Sequence, residues 1–341
     1  MNKRVVDFLS SVGVMVLGVT LVFVGSITFT ARPVEKILDQ SSVAQVEPFK
    51  KGGDELLPVL PVSRPAIPLL NSSSTEYTGT LTATTVMVVD DLSNAILYKK
   101  NPDEVRSLAS ITKLMSALVV SDLSLDWTTS TVITDEDYDP SSHHLIVGEE
   151  YTLEDLWRVA LVGSSNSAVR ALVRATGLTE DEFAKKMNEK ASALGLNSLQ
   201  FVEPTGLNSK NMGKAVDILR LLKAALKEER IAETLKMAEY YAQPLNKKTK
   251  RHVWSTDWLL TNWVPNNFDK DVLVGKTGYI EQSGYNFVVR IPGQKSHVIR
   301  VVILGAESNE LRFSEARDLA EWIFSNYVWP DDEDFAKLTT R

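Results

Sequence analysis

Hydrophobic positions along the chain fall into three regimes. From Phe8 to Ala31 they form one run with no charged residue in 24 positions. As a helix that run spans about 36 Å, more than the ~30 Å hydrocarbon core of a bilayer. Nothing polar marks a second face, so a buried core helix is a poor reading. Lys3 and Arg4 precede the run, which orients the N-terminus toward the cytoplasm. Ser26-Ile27-Thr28 is a weak cleavage site, and residues 1–31 therefore read as a cytoplasmic N-terminus and an uncleaved transmembrane anchor. Residues 32–78 show no period. Six of the thirteen prolines fall there, together with Ser72-Ser73-Ser74. Proline stiffens the chain and removes backbone donors, which predicts an extended tether with room for a short helix at 34–40.

Periodic patterning begins near residue 79. Thr84–Val89 and Ala95–Lys99 are β-prone runs around Asp91-Leu92-Ser93-Asn94, a hairpin pattern. Helical spacing follows from Ser110 to about Ser121, then over Leu153–Val162 and Ser167–Ala175. Thr179-Glu180-Asp181-Glu182 is a capping-box pattern opening a helix to about Leu194. Lys214–Leu226 is again helical. Strands return late: Leu273–Val274 leads into a turn, then come Tyr285–Arg290 and His297–Leu304. Glu315–Phe324 closes the region as an amphipathic helix. Strands, many helices, strands and a last helix predict an α+β fold. Its first and last strands share one antiparallel sheet flanked by helices, beside a mostly helical subdomain. Residues 79–328 form this domain, and 329–341 a short acidic, solvated tail.

Composition narrows the function. A net charge of −7 and a pI near 5.3 argue against a nucleic-acid binder, which needs a basic face for phosphates. The absence of cysteine excludes disulfides, thiolate zinc sites and a thiol nucleophile. The four histidines, His143, His144, His252 and His297, lack the i, i+4 spacing of a helical zinc pair. No Gly-x-Ser-x-Gly elbow is present to support a Ser-His-Asp hydrolase. These histidines read as surface or loop residues, and no metal or organic cofactor is implied. Of the seven tryptophans, Trp254, Trp258 and Trp263 among them, core packing is expected before sugar binding.

The candidate chemistry lies elsewhere. Ser110 and Lys113 are three apart, so on a helix they share a face. A serine hydroxyl needs an adjacent base, and a lysine serves only when neutral, which burial or a second cation promotes. A chain of this length contains about one Ser-x-x-Lys by chance, so the pair gains weight from its company. Lys276-Thr277-Gly278 offers a cation and a hydroxyl for a substrate carboxylate, and a glycine that admits close backbone approach. Ser164-Ser165-Asn166 sets a hydroxyl and an amide at a junction between two helical segments. Ser-x-Asn recurs at Ser209-Lys210-Asn211, but the first copy has the order and helix junction the set requires.

Together these three motifs resemble the serine D-alanyl-D-alanine carboxypeptidases, the low-molecular-mass penicillin-binding proteins. The likeness spans about residues 79–328. Arg106–Met115 is similar to the family's nucleophile segment, Tyr151–Leu156 to the run before its Ser-x-Asn, and Phe201–Leu207 to its central loop. Val274–Tyr279 with Ser283–Asn286 resembles its active-site strand and the next one, and Gly305-Ala306 with Arg312-Phe313 its run into the last helix. The resemblance implies acylation of Ser110 by D-Ala-D-Ala ends of peptidoglycan stem peptides, with Lys113 as base. It implies Ser164 as proton relay, Asn166 as a holder of substrate or of Lys113, and a carboxylate site at Lys276 and Thr277. The N–H groups of Ser110 and Tyr279 would form the oxyanion hole beside Gly278. β-Lactam antibiotics should acylate the same serine, on the wall side of a bacterial membrane that the N-terminal helix spans. Departures from the pattern are Leu108 where the family has proline, Ser167 where it has aspartate, and Lys214-Ala215-Val216-Asp217 at a helix start. A β-lactamase is the nearest rival, but Glu203-Pro204-Thr205-Gly206-Leu207-Asn208 is one residue too long for its Glu-x-x-Leu-Asn loop. A non-catalytic sensing or wall-binding module on the same fold is the other. Carboxypeptidase and endopeptidase action use the same groups.

Overall fold

The computed structural model describes residues 66–141, 144–295 and 297–339. The expected anchor and the tether as far as residue 65 lie outside them. Among the described residues no helix is long and apolar enough to cross a membrane.

The predicted hairpin opens the fold, as β1 (Thr85–Asp90) and β2 (Ile96–Lys100). Asn94 takes φ +59° in its turn, and the Asp90 carboxylate accepts the Ser93 N–H at 2.7 Å. Short polar side chains tolerate that backbone region and tie such turns locally. The helical region follows: α1 (Lys113–Asp122), α2 (Leu153–Val162), α3 (Asn166–Ala175), α4 (Glu180–Ala193), α5 (Ala215–Ala225) and α6 (Glu229–Leu235). The Thr179–Glu182 capping box at α4 forms as predicted. Three strands then return, β3 (Val274–Ile280), β4 (Gly284–Pro292) and β5 (Val298–Ala306), before α7 (Leu311–Asn326). The five strands form one antiparallel sheet in the order β3-β4-β5-β1-β2.

Alternation along the strands divides the interior into two cores. Val86, Val88, Val301 and Ile303 join Phe313, Leu319 and Ile323 of α7 on one face. Met87, Val89, Val302 and Leu304 join Leu114 and Leu118 of α1 and Ile218 and Leu222 of α5 on the other. A period of two sends neighbouring residues to opposite faces, and each fully buried aliphatic side chain contributes about 1.5–3 kcal/mol.

Several boundaries differ from the sequence pattern. No turn follows Val274; β3 runs straight through Lys276-Thr277-Gly278. Its glycines suggest a break, but they admit neighbours instead. A Cβ at Gly275 would stand 2.6 Å from the Phe287 ring, and one at Gly278 would stand 2.6 Å from the Leu108 carbonyl oxygen. The expected helix at Ser110 begins as a 3-10 turn, Ala109–Thr112, and becomes α-helical at Lys113. α7 starts at Leu311 rather than Glu315. α6 and the ribbon of Glu239–Ala242 with Arg251–Trp254 were not legible. The packed domain also begins before residue 79. Leu69–Leu70 pairs with Tyr327–Val328, and the Tyr77 ring meets Tyr98 and Trp322 edge-on at 5.9 and 5.7 Å. The tail is not wholly solvated either. Trp329 is buried and donates its indole N–H to Asp90 at 3.0 Å.

Candidate active site

Three elements meet where the sheet joins the helical region. The first is the turn Ala109–Thr112. Ala109 has φ +47°, a region costly for any residue with a Cβ and persistent only where its surroundings enforce it. Two glycines allow the enforcement. A Cβ at Gly206 would stand 2.0 Å from the Ala109 carbonyl oxygen, and one at Gly278 would stand 3.1 Å from the Ser110 nitrogen. The central loop and the edge strand β3 therefore clamp the turn from two sides.

Ser110 is half-buried at the cleft, and Lys113, the first residue of α1, is fully buried beneath it. Lys113 Nζ stands 2.8 Å from Ser110 Oγ, 2.6 Å from Asn166 Oδ1 and 2.7 Å from the Thr205 carbonyl oxygen. Burial lowers its pKa from 10.5 to about 7, against the charges of Glu203 and Asp139 and with help from Arg170. Lys113 and Lys276 oppose each other's charge, and Arg170 adds to that effect on Lys113. A neutral amine has two N–H donors and one lone pair. Two of its three neighbours, the amide oxygen of Asn166 and the carbonyl of Thr205, can only accept. They take the two N–H groups, and the lone pair is left facing the Ser110 hydroxyl. In that state the amine can remove the serine proton.

Asn166 and Ser164 come from the α2–α3 junction. Ser164 has φ +58°, and Ser165 caps α3 by accepting the Ala168 N–H. The capped helix start aims Asn166 at Lys113. The orientation of its amide is set by Asp139, whose carboxylate accepts the Asn166 Nδ2–H at 2.9 Å. Burial alone would raise the Asp139 pKa. Hydrogen bonds from the Ser141 hydroxyl and N–H and from Asn166, with the charge of Arg170, outweigh it and keep the carboxyl below its ordinary value. Sequence reasoning missed Asp139, which carries no motif and lies 27 residues from Asn166. The Ser167 departure serves the same corner: its hydroxyl accepts the Asp139 N–H at 2.9 Å.

Lys276 points from β3 into the same cleft. Its Nζ donates to Ser164 Oγ at 2.8 Å, and burial, then Lys113 and Arg312, hold its pKa well below the usual value. Thr277 Oγ1 lies 2.6 Å from Thr256 Oγ1. Tyr279 lines the cleft, half exposed, and stacks on Tyr285 at 4.3 Å. All eight candidate residues thus lie at this cleft or bound directly beneath it. His144, read as a surface or loop residue, also lines the cleft. His143 lies outside the described residues.

The remaining motifs are staples. Asn211, in the second Ser-x-Asn, is fully buried and donates to Thr112 Oγ1 at 3.2 Å and to Glu203 Oε1 at 2.8 Å. Asn286 donates to the Ser107 carbonyl at 2.8 Å, fastening β4 to the nucleophile segment. Leu108 donates its N–H to the Asn211 carbonyl at 2.8 Å, a bond that proline cannot make. In the variant helix start, Asp217 accepts the Ser198 N–H and hydroxyl. Glu203 accepts the N–H groups of Thr205 and Gly206, both at 2.7 Å, as well as the Asn211 amide. Its two oxygens are committed to their own loop and poorly placed to activate water. Among the described residues no cluster of His, Asp or Glu could hold a metal ion.

The model of the D-alanyl-D-alanine carboxypeptidase family matches residues 71–308. The chain belongs to that family. Within the family it is similar to the D-alanyl-D-alanine endopeptidase of Haemophilus influenzae, at 32% identity over 70% of this chain and 81% of that one. It is 31% identical to the D-alanyl-D-alanine endopeptidase of Pseudomonas aeruginosa, over 73% and 79% of the two chains. Penicillin-binding protein D2 of Listeria monocytogenes, solved in its cefotaxime-bound form, superposes with a TM-score of 0.62. It is 25% identical and matches over 73% of this chain and all of that one.

Proposed function

We propose that this DD-peptidase family member hydrolyses D-alanyl bonds of peptidoglycan peptides through a Ser110 acyl-enzyme, with cross-links between stem peptides as its principal substrate. The observation that carries the reading is the Lys113 amine. It is buried, 2.8 Å from Ser110 Oγ, and has both N–H groups engaged by acceptors. Ser110 Oγ attacks the D-Ala carbonyl carbon while its proton passes to Lys113. The N–H groups of Ser110 and Tyr279 receive the oxyanion, the position where aimed donors lower a barrier most. Ser164, bonded to Lys276, relays that proton from Lys113 to the departing amine, which leaves Lys113 neutral again. Water then adds to the ester, Lys113 takes its proton, and that proton returns to Ser110 Oγ as the ester bond breaks. An incoming carboxylate restores the proton on Lys276, because an opposite charge favours the charged form. Thr277 and the close backbone at Gly278 complete that site.

Cleavage of a cross-link and of a terminal D-Ala-D-Ala differ only in the amine that leaves. The relatives named endopeptidases, which align over about four-fifths of their own length, support the cross-link reading. β-Lactams acylate the same Ser110 and leave slowly, and Glu203, held in its loop, offers no second deacylation base. We further propose that residues 8–31 anchor the chain with this chemistry outside the cytoplasmic membrane, a reading supported by their uncharged apolar run and tested by membrane fractionation and protease accessibility of the intact chain.

The deciding experiment pairs fluorescent penicillin labelling of wild type and Ser110→Ala with product analysis on cross-linked muropeptide dimers and on a pentapeptide. Labelling only of wild type and conversion of dimers to monomers are expected. Release of D-alanine with dimers untouched would replace the cross-link reading by the carboxypeptidase one. No labelling and no cleavage would end both.

A further inference from the structure

The tryptophans assigned from sequence to the core lie partly outside it, and a tyrosine lies beside them. Tyr241, Trp254 and Trp263 are 51, 47 and 59% exposed. Large apolar side chains left open together mark a binding surface more often than a packing remainder. These form a row. Tyr241 stacks on His252 at 4.3 Å with rings parallel to within 4°, and His252 meets Trp254 at 4.4 Å. Trp254 meets Trp263 at 6.5 Å, Trp263 meets Trp258 at 5.4 Å, and Trp258 stacks on Phe313 at 5.6 Å.

The ribbon of Glu239–Ala242 and Arg251–Trp254 sets the first three. Tyr241 pairs directly with His252, and Trp254, two residues on, shares the face. Val253 points the other way, with a methyl 2.4 Å from where a Cβ on Gly163 would stand. The ribbon therefore backs onto the junction that carries Ser164. Thr256, two residues after Trp254, bonds Thr277. At the far end Phe313 follows Arg312, which lines the cleft. The exposed part of the row thus lies beside the catalytic cleft, within two residues of Thr256, which lines it.

We propose that this row is a saccharide platform, which holds the glycan strand of peptidoglycan while a stem peptide of the same polymer enters the cleft. The inference rests on the DD-peptidase reading above and deepens it. Stem peptides are covalently attached to the glycan, so a peptide at Ser110 brings sugar within reach of the rim. Pyranose rings present faces of weakly positive C–H groups, which pack on the negative faces of aromatic rings. A bilayer is the other surface that exposed tryptophan and tyrosine suit. His252, mid-row, is hydrogen-bonded to Glu239 at 2.7 Å, and such a carboxylate pays a desolvation penalty in hydrocarbon but not beside sugar hydroxyls.

The test compares the full chain with Trp254→Ala/Trp263→Ala and with Tyr241→Ala, on a sugar-free cross-linked peptide dimer and on intact sacculi. Unchanged kcat/KM on the peptide is expected, which also certifies the fold, with at least a tenfold loss on sacculi. In a Ser110→Ala background the same substitutions should abolish co-sedimentation with sacculi, and a soluble N-acetylglucosamine oligomer should compete with the unsubstituted row. An equal loss on both substrates, or none on sacculi, overturns the proposal. Loss of binding to anionic vesicles with sacculus binding intact would assign the row to the membrane and also overturn it. The sedimentation arm needs no turnover, so failure of the DD-peptidase reading appears separately, as wild type inactive on every substrate.

Discussion

Asn166 turns its amide nitrogen to the Asp139 carboxylate, 2.9 Å away, and so must present its oxygen to Lys113. A carboxylate only accepts, and a primary amide has one donating and one accepting end. Asp139 therefore decides which end the lysine meets, without touching it.

Asp139→Asn removes that decision. The new amide can meet Asn166 either way, and half of the pairings point an N–H at Lys113. Acylation by fluorescent penicillin should fall at least tenfold, about 1.4 kcal/mol of barrier, with an unchanged far-ultraviolet dichroism spectrum. Wild-type acylation in this variant would remove Asp139 from the positioning role.

In the proposed mechanism Lys113 accepts a proton only when neutral, and burial lowers its pKa to about 7. Acylation should rise with pH through about 7 and level off above it. Stability follows the opposite comparison of states. The unfolded chain binds more protons at this residue between about 7 and 10.5, so this group raises stability with pH across that window. Lys113→Ala should abolish labelling, reduce that slope to the share that Lys276 contributes, and leave the fold intact, as read by thermal melts from pH 7 to 10.

Asp257 is fully buried, one of its oxygens has no partner, and burial raises its pKa to about 6. Its folded form holds a proton that the unfolded form loses above about 4. This carboxyl therefore lowers stability as pH rises from about 4 through 6. Asp257→Asn keeps an oxygen for the Leu259 and Leu260 N–H groups that Asp257 Oδ1 now accepts and removes the charge. Its melting temperature should exceed wild type at pH 7.5 and match it near pH 4. A lower value at pH 7.5 would show that the charge is used.

Gly206 has φ +91°, and a Cβ there would press on the Ala109 carbonyl. Gly206→Ala should cost roughly 1–3 kcal/mol and displace the turn that carries Ser110. Acylation should then fall by more than the melting temperature explains. An active, fully stable variant would show that the clamp on Ala109 is dispensable.

Much of this was legible in the chain. Four of the five sheet strands and most helices follow from apolar spacing, because periods of two and 3.6 are local consequences of backbone geometry. Ser110 and Lys113 could be paired from sequence because one helical turn joins them. Lys276 and Ser164 could be nominated as motifs, but 112 residues separate them, and no local rule places one against the other. Asp139 left no signal, since its role depends on a loop folding back onto α3. Trp254 and Trp263 were misread for a related reason. Hydrophobicity states that a side chain gains from leaving water, not whether the chain or a ligand will cover it. Sequence by itself determined the elements and the chemistry available to them. The tertiary structure decided which groups lost their water: it buried Lys113, which favours its neutral form, and left Tyr241, Trp254 and Trp263 open.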